Sequence, residues 1–414
     1  MRDYAVVTSA YWGLTLTDGA LRMLVLLHFH SLGYTPIELA SLFVLYEFFG
    51  VVTNLVGGWI AARLGLRFTL YAGLWLQIAA LFMLSQLDVS WSKEMSVLYV
   101  FLSQGFSGIA KDLTKMSAKS SIKILLPEGG NSRLFKWVAA LTGSKNALKG
   151  AGFFLGGTLL TAIGFEGALI IMSAGLAVVM IASFLLLRRL GGQPTSKPPF
   201  SRILSKTRDI NLIALARFFL FGGRDVWFDV GIPLFLGEVL GWSFVEIGTF
   251  MAAWVIAYGF VQAVAPRFVR KSPDGLSAEI IAASHWGMAL AIVPLLLAIL
   301  IYLLTDQVVL VDNLAWLGII TVAGLALFGI LFAINSSLHS YLILAISETE
   351  HTTLNVGFYY MANAGGRLIG TLMSGILYQI GGVEVCLIGS ALLIAAAAFF
   401  VRGIGSQETV TNVS

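Results

Sequence analysis

The 414-residue chain is 58% hydrophobic and only 12% charged, with a formal net charge of +4 and a mean hydropathy of +0.87. A soluble domain carries about 25% charged residues, so a soluble globular protein is excluded and a polytopic membrane protein is expected. The single cysteine, Cys386, excludes an internal disulfide and a multi-thiolate metal site.

Apolar runs of about 20 residues, enough to cross a bilayer, predict spans near 5–30, 37–60, 68–87, 95–116, 134–163, 167–188, 210–237, 244–266, 278–304, 314–345, 354–380 and 383–402. The first run is too long for the apolar part of a signal peptide and carries Asp18 and Arg22, so it reads as a retained span. Loops after even spans are rich in Lys and Arg (Arg63 and Arg67, Arg133 and Lys136, Arg202 and Lys206, Arg267 and Arg270), while loops after odd spans hold Lys93. The positive-inside rule then puts both termini in the cytoplasm. The Pro-rich stretch after span 6 divides the chain into a six-helix bundle at 1–190, a cytoplasmic linker at 191–209 and a second six-helix bundle at 210–414.

An internal repeat supports that division. LGYTPIELA (32–40) and LGWSFVEIG (240–248) occupy the same place in each half, with Glu38 matching Glu246 at an offset of 208 residues. Two six-span repeats in parallel topology predict an all-α transporter of the major facilitator superfamily architecture, with two pseudo-symmetric bundles. The loop from Gly58 to Arg67 resembles that superfamily's G-x-x-x-D-R-x-G-R-R motif, except that Ala62 stands where the aspartate is usual.

Charges inside the spans are the most informative feature. Each costs roughly 2.5–3.5 kcal/mol at mid-helix unless it meets a partner or a wet cavity. Arg22 (span 1), Lys145 and Lys149 (span 5), Arg217 and Arg224 (span 7) and Arg367 (span 11) are the intramembrane cations. All lie on spans that this architecture turns towards its cavity. They are the predicted substrate-binding residues, suited to an oxyanion such as a phosphate or carboxylate. Asp18, Glu47, Asp225 and Asp229 are the intramembrane acids, with two readings: carriers of a coupling proton, or ion-pair partners of the basic residues. Asp18 and Arg22 are spaced to pair on one helix, whereas Arg224 and Asp225 are adjacent and are not expected to face each other. Arg217 also admits the reading of a side chain snorkelling to the inner interface.

Lys111, Lys115, Lys119 and Lys123 recur every four residues. They read either as a cytoplasmic funnel for anions or as an ordinary basic flank resting on anionic lipid. His28 and His30 do not share a helix face, so no metal site is expected. The stretch GAGFFLGG (150–157) has small residues at helical spacing and predicts close helix packing or a bend. No nucleotide-binding loop, catalytic triad or dinucleotide fingerprint is present. The chain reads as a non-enzyme without cofactors and without a nucleic-acid partner.

Five stretches carry a closer resemblance: TLTDGALRMLVLLHFHSLGYTP (15–36), YEFFGVVTNLVGGWIAARLG (46–65), SGIAKDLTKMSAKSSIK (107–123), TGSKNALKGAGFFLGG (142–157) and FGGRDVWFDVGIPLFL (221–236). Together they resemble the ArsJ-type organoarsenical efflux permeases. The resemblance implies export of 1-arseno-3-phosphoglycerate, made when glyceraldehyde-3-phosphate dehydrogenase uses arsenate in place of phosphate, from a bacterial inner membrane. It also implies arsenate resistance and, as functional partner, the dehydrogenase that supplies the substrate. Proton antiport is the expected coupling and a monomer the expected state. A chain with one thiol suits a pentavalent oxyanion better than trivalent arsenic, which prefers two or three thiolates.

Overall fold

The computed structural model describes residues 2–88, 90–125, 131–187, 207–265, 276–305, 311–347 and 352–405. Among these the chain is helical nearly throughout: α1 (Arg2–Ser31), α2 (Pro36–Leu42), α3 (Val44–Leu64), α4 (Leu66–Ser85), α5 (Lys93–Leu125), α6 (Asn131–Leu186), α7 (Arg208–Phe228), α8 (Gly231–Glu238), α9 (Phe244–Val264), α10 (Ser277–Thr305), α11 (Val311–Ile346) and α12 (Thr352–Arg402). Most of the linker read at 191–209 and the side chains of Ala62 and Arg63 lie outside the described residues.

The predicted boundaries fall where the backbone breaks. α6 runs through the expected gap between spans 5 and 6, but Gly164 interrupts it at φ 74°, ψ −178°. α12 is broken in the same way at Gly381 and Gly382, the latter at φ 70°. That left-handed region is open to glycine at little cost, so glycine stands at both corners. Conversely, the spans expected at 37–60 and 210–237 are each two helices, α2 with α3 and α7 with α8. Seven helical stretches among the described residues are long and apolar enough to cross a membrane. α1, α5 and α7 are not among them; they carry charged residues such as Asp18 and Arg22, Lys111, Asp112 and Lys115, and Arg217, Arg224 and Asp225.

The sequence repeat has a structural cause. Thr35 N–H donates to Glu38 Oε2 (2.8 Å) and Glu38 N–H returns a bond to Thr35 Oγ1 (3.4 Å). Ser243 and Glu246 repeat the exchange at 2.8 and 3.3 Å. Each is a capping box that starts a helix, and each follows a glycine of positive φ, Gly33 or Gly241.

The chain forms two compact units: residues 1–34, 41–200 and 242–259, and residues 35–40, 201–241 and 260–414. In the first, α1 crosses α6 on glycines. A Cβ on Gly152 would lie 2.5 Å from the Leu16 carbonyl oxygen, and one on Gly156 2.5 Å from that of Ala20. On another side of α6, a Cβ on Gly157 would meet the Phe244 carbonyl oxygen of α9 at 2.4 Å. The glycine-rich stretch thus packs its helix closely on two neighbours. The second unit repeats the device where α7 crosses α12. A Cβ on Gly366 would lie 2.0 Å from the Phe218 carbonyl oxygen, and one on Gly370 2.6 Å from that of Gly222. Both seams are Gly-x-x-x-Gly, which lets backbones approach where apolar lipid gives helices little reason to associate.

Gly152→Ala and Gly366→Ala should each cost about 1–3 kcal/mol by overpacking. Gly175→Ala, with nothing within 4 Å of its Cβ, should be neutral or slightly stabilising. Thermal melts of the detergent-purified protein check this, and equal melting temperatures for all three would contradict the seam.

Candidate functional site

The six predicted binding cations divide three and three between the units. In the first, Arg22 is buried on α1 and its Nη1 donates to Glu47 Oε1 of α3 at 3.1 Å. Its guanidinium also lies 5.1 Å from the Phe43 ring centre and 5.5 Å from that of Tyr46. Asp18 takes no part in that pair. Its Oδ1 accepts from the Tyr46 hydroxyl at 2.7 Å, so the expected one-helix pairing of Asp18 with Arg22 does not form. Tyr46 receives a second cation, with Lys111 Nζ 3.8 Å from its ring centre. Gly108 makes this possible by bringing α5 onto the Tyr46 backbone, where its Cβ would be 2.4 Å from the Tyr46 oxygen. Lys149 reaches α1 through the glycine seam, its carbonyl oxygen lying 2.6 Å from where a Cβ on Gly19 would stand. Its ammonium is 5.5 Å from the Phe153 ring centre. Lys145, one turn earlier on α6, is half-buried.

The lysine stripe on α5 does not stand free of the helix. Besides Lys111 on Tyr46, Lys115 forms an ion pair with buried Asp112, and its Nζ donates to Asn54 Oδ1 at 2.7 Å. Asp112 also accepts from Thr53 Oγ1 at 3.0 Å. The side chains of Lys119 and Lys123 lie outside the described residues.

In the second unit one carboxylate serves two cations. Asp225, fully buried on α7, pairs with Arg224 beside it and accepts from Arg367 Nε of α12 at 2.9 Å through its other oxygen. Adjacent residues thus do face each other here, because the Arg224 side chain folds back along its own helix. Arg224 is further flanked by Phe221 (4.8 Å), Phe228 (5.4 Å) and Phe332 (5.6 Å). Two arginines thus share one carboxylate.

Arg217 does not snorkel to an interface, being only 5% exposed. Its Nε donates to Asn363 Oδ1 at 2.9 Å, and its Nη1 donates to both the carbonyl and the hydroxyl of Ser336 at 3.0 Å. Its guanidinium sits 4.0 Å from the Phe221 ring centre and 5.0 Å from that of Tyr359. Among the described residues no carboxylate lies within ion-pair distance of it. Asp229, at the break between α7 and α8, accepts from Thr371 Oγ1, and Ser374 Oγ accepts from the Val230 and Gly231 amides. These bonds stitch the break to α12.

Arg217 thus meets neutral acceptors, while Arg224 and Arg367 share the Asp225 carboxylate. A family model described as Major Facilitator Superfamily matches residues 7–319. The chain belongs to the major facilitator superfamily. That membership makes it a multi-pass membrane transporter rather than an enzyme. Many solved structures share its fold, two POT family transporters among them. One is the crystal structure of a POT family transporter in complex with a thioalcohol-conjugated peptide (14% identity, 99% of this chain and 97% of that one, TM-score 0.72). The other is that of a POT family transporter in complex with 5-aminolevulinic acid (15%, 99% and 97%, TM-score 0.73). No curated protein matches the chain.

Asp225→Asn removes the carboxylate that Arg224 and Arg367 share and should cost about 3–5 kcal/mol. Adding Arg367→Gln to it should recover part of that loss, since one of the two cations is then removed. Melting temperatures of the single and double variants check this. A double variant less stable than Asp225→Asn alone would show that the triad is not held by charge compensation.

Proposed function

We propose that this superfamily member is a secondary exporter of a small organic polyanion, and that its substrate is 1-arseno-3-phosphoglycerate, as in the ArsJ-type permeases it resembles. The observation that carries the reading is Arg217, which is only 5% exposed and is held by the neutral acceptors of Asn363 and Ser336, with no carboxylate within ion-pair distance among the described residues. A transporter of polyanions gains from a cation held in this way, because the substrate supplies the negative charge.

In this reading the chain has twelve spans in two six-helix bundles, with both termini in the cytoplasm, and works as a monomer in a bacterial inner membrane. Alternating access moves the anion outward, and the inside-negative membrane potential favours its exit. Arg22, Lys145, Lys149, Arg217, Arg224 and Arg367 are the residues proposed to supply the binding charge. Asp18 is assigned the coupling proton. Glu47 and Asp225 are tied to arginines, whereas Asp18 is held by a neutral phenol and has no cation within ion-pair distance among the described residues. Glyceraldehyde-3-phosphate dehydrogenase is the functional partner as producer of the substrate.

Cellular arsenic is the decisive readout. Arsenate-challenged cells expressing this chain should hold less arsenic only when the dehydrogenase is co-expressed, and Arg367→Gln should abolish that difference. Unchanged arsenic in both cases, with the protein in the membrane, would reject the substrate and leave a phosphate ester or carboxylate as the cargo to be screened. Asp18→Asn should abolish the response of export to an imposed pH gradient; a full response in that variant would remove Asp18 from the coupling role.

A further inference from the structure

Lys111 and Lys115 stand one turn apart on α5, yet they are held by different means. Lys115 pairs with Asp112 and donates to Asn54 Oδ1. Asp112 also accepts from Thr53 Oγ1 and Asn54 Nδ2, at 3.0 and 3.3 Å. Lys111 takes no share in that network, and among the described residues no carboxylate lies within ion-pair distance of it. Its ammonium instead lies 3.8 Å from the centre of the Tyr46 ring, and its side chain is half-buried. The ring fixes its depth. Tyr46 is 4% exposed, donates its hydroxyl to Asp18 and has the Arg22 guanidinium 5.5 Å from its ring centre. Lys111 therefore stands with the buried charges of α1 and α3, although the spacing in the sequence joins it to Lys119 and Lys123. Two glycines seat α5 there. A Cβ on Gly108 would lie 2.4 Å from the Tyr46 carbonyl oxygen, and one on Gly105 3.2 Å from the Phe49 ring. An aromatic face holds an ammonium weakly and leaves its charge and its three donors in place. A lysine present for stability alone would be expected to meet a carboxylate, as Lys115 does one turn on.

We propose that Lys111 is a substrate-binding residue of the first unit and no part of a cytoplasmic funnel: its ammonium rests on the Tyr46 ring and leaves it to take an oxygen of the substrate's phosphoryl group. The flexible stem of a lysine and its compact charge suit that exchange, which a lysine locked to a carboxylate could not make. This rests on the anion-transport reading and adds to it a contact from α5.

Equilibrium binding of labelled 3-phosphoglycerate to the full-length detergent-purified protein tests it. Lys111→Gln should weaken binding by about tenfold or more, the value of one charge-assisted contact. The ratio of variant to wild type should hold between about 0.1 M and 1 M salt, because a direct buried contact is screened far less than long-range attraction. Lys111→Arg, which restores the charge, should bind within about threefold of the wild type. If Lys111→Gln does not insert, Lys111→Met keeps an apolar chain of similar length beside the Tyr46 ring and should show the same loss. A loss that vanishes at high salt, or an equal loss in Lys119→Gln, would make the lysines a funnel and overturn the assignment. Unchanged binding in Lys111→Gln would overturn it too, while leaving anion binding standing. No binding of the probe by the wild type would reject phosphate-ester recognition itself, and the role of Lys111 with it.

Discussion

A charge taken out of water into an apolar helix bundle must be held by something, and the way it is held decides what it can still do. A carboxylate holds a cation by cancelling it. An aromatic face holds it through the ring quadrupole, worth about 0.5–2 kcal/mol, and leaves its charge in place. Neutral acceptors do the same by hydrogen bonding. In this protein the aromatic solution recurs: Phe43 and Tyr46 under Arg22, Tyr46 again under Lys111, Phe153 near Lys149, Phe221 and Tyr359 against Arg217, and three phenylalanines around Arg224. Arg22 and Arg224 are in addition paired with carboxylates, whereas Arg217 is held by aromatic faces and neutral acceptors and by no carboxylate among the described residues.

The glycine seams are what allow this chemistry to be placed. Arg367 follows Gly366 directly, and Lys149 precedes Gly152 by one turn. Beside such a close approach Arg367 of α12 reaches Asp225 of α7, and Lys111 of α5, one turn after Gly108, reaches the Tyr46 ring of α3. Lys149 instead meets the seam through its backbone oxygen, its ammonium lying near Phe153 of its own helix.

Much of this was legible in the sequence, because the signals are local. Apolar runs mark helices wherever they occur, and Gly164 and the Gly381–Gly382 pair stand in the gaps that hydropathy leaves between spans. Charges in apolar runs stand out, so the six cations proposed to bind substrate could be named. Their partners could not. Whether Arg22 meets Asp18 on its own helix or Glu47 on another depends on which helices touch. The pairing of adjacent Arg224 and Asp225 depends on a side-chain fold that helical spacing argues against. Asp112 escaped notice among four regularly spaced lysines, although its i,i+3 relation to Lys115 is an ion-pair spacing. Asn363 and Ser336 leave no trace as ligands of Arg217, since neutral residues in a helix carry no mark of what they bond.

The compact units do not follow the repeat in the sequence. The short helix α2 belongs with residues from the second half, where Gly375 approaches the Pro36 carbonyl oxygen, and the start of α9 belongs with residues from the first, against Gly150 and Gly157. Each unit has thus lent the other one piece of chain. The exchange makes each a debtor of the other, so neither sequence half, made by itself, contains all the residues of the unit it begins.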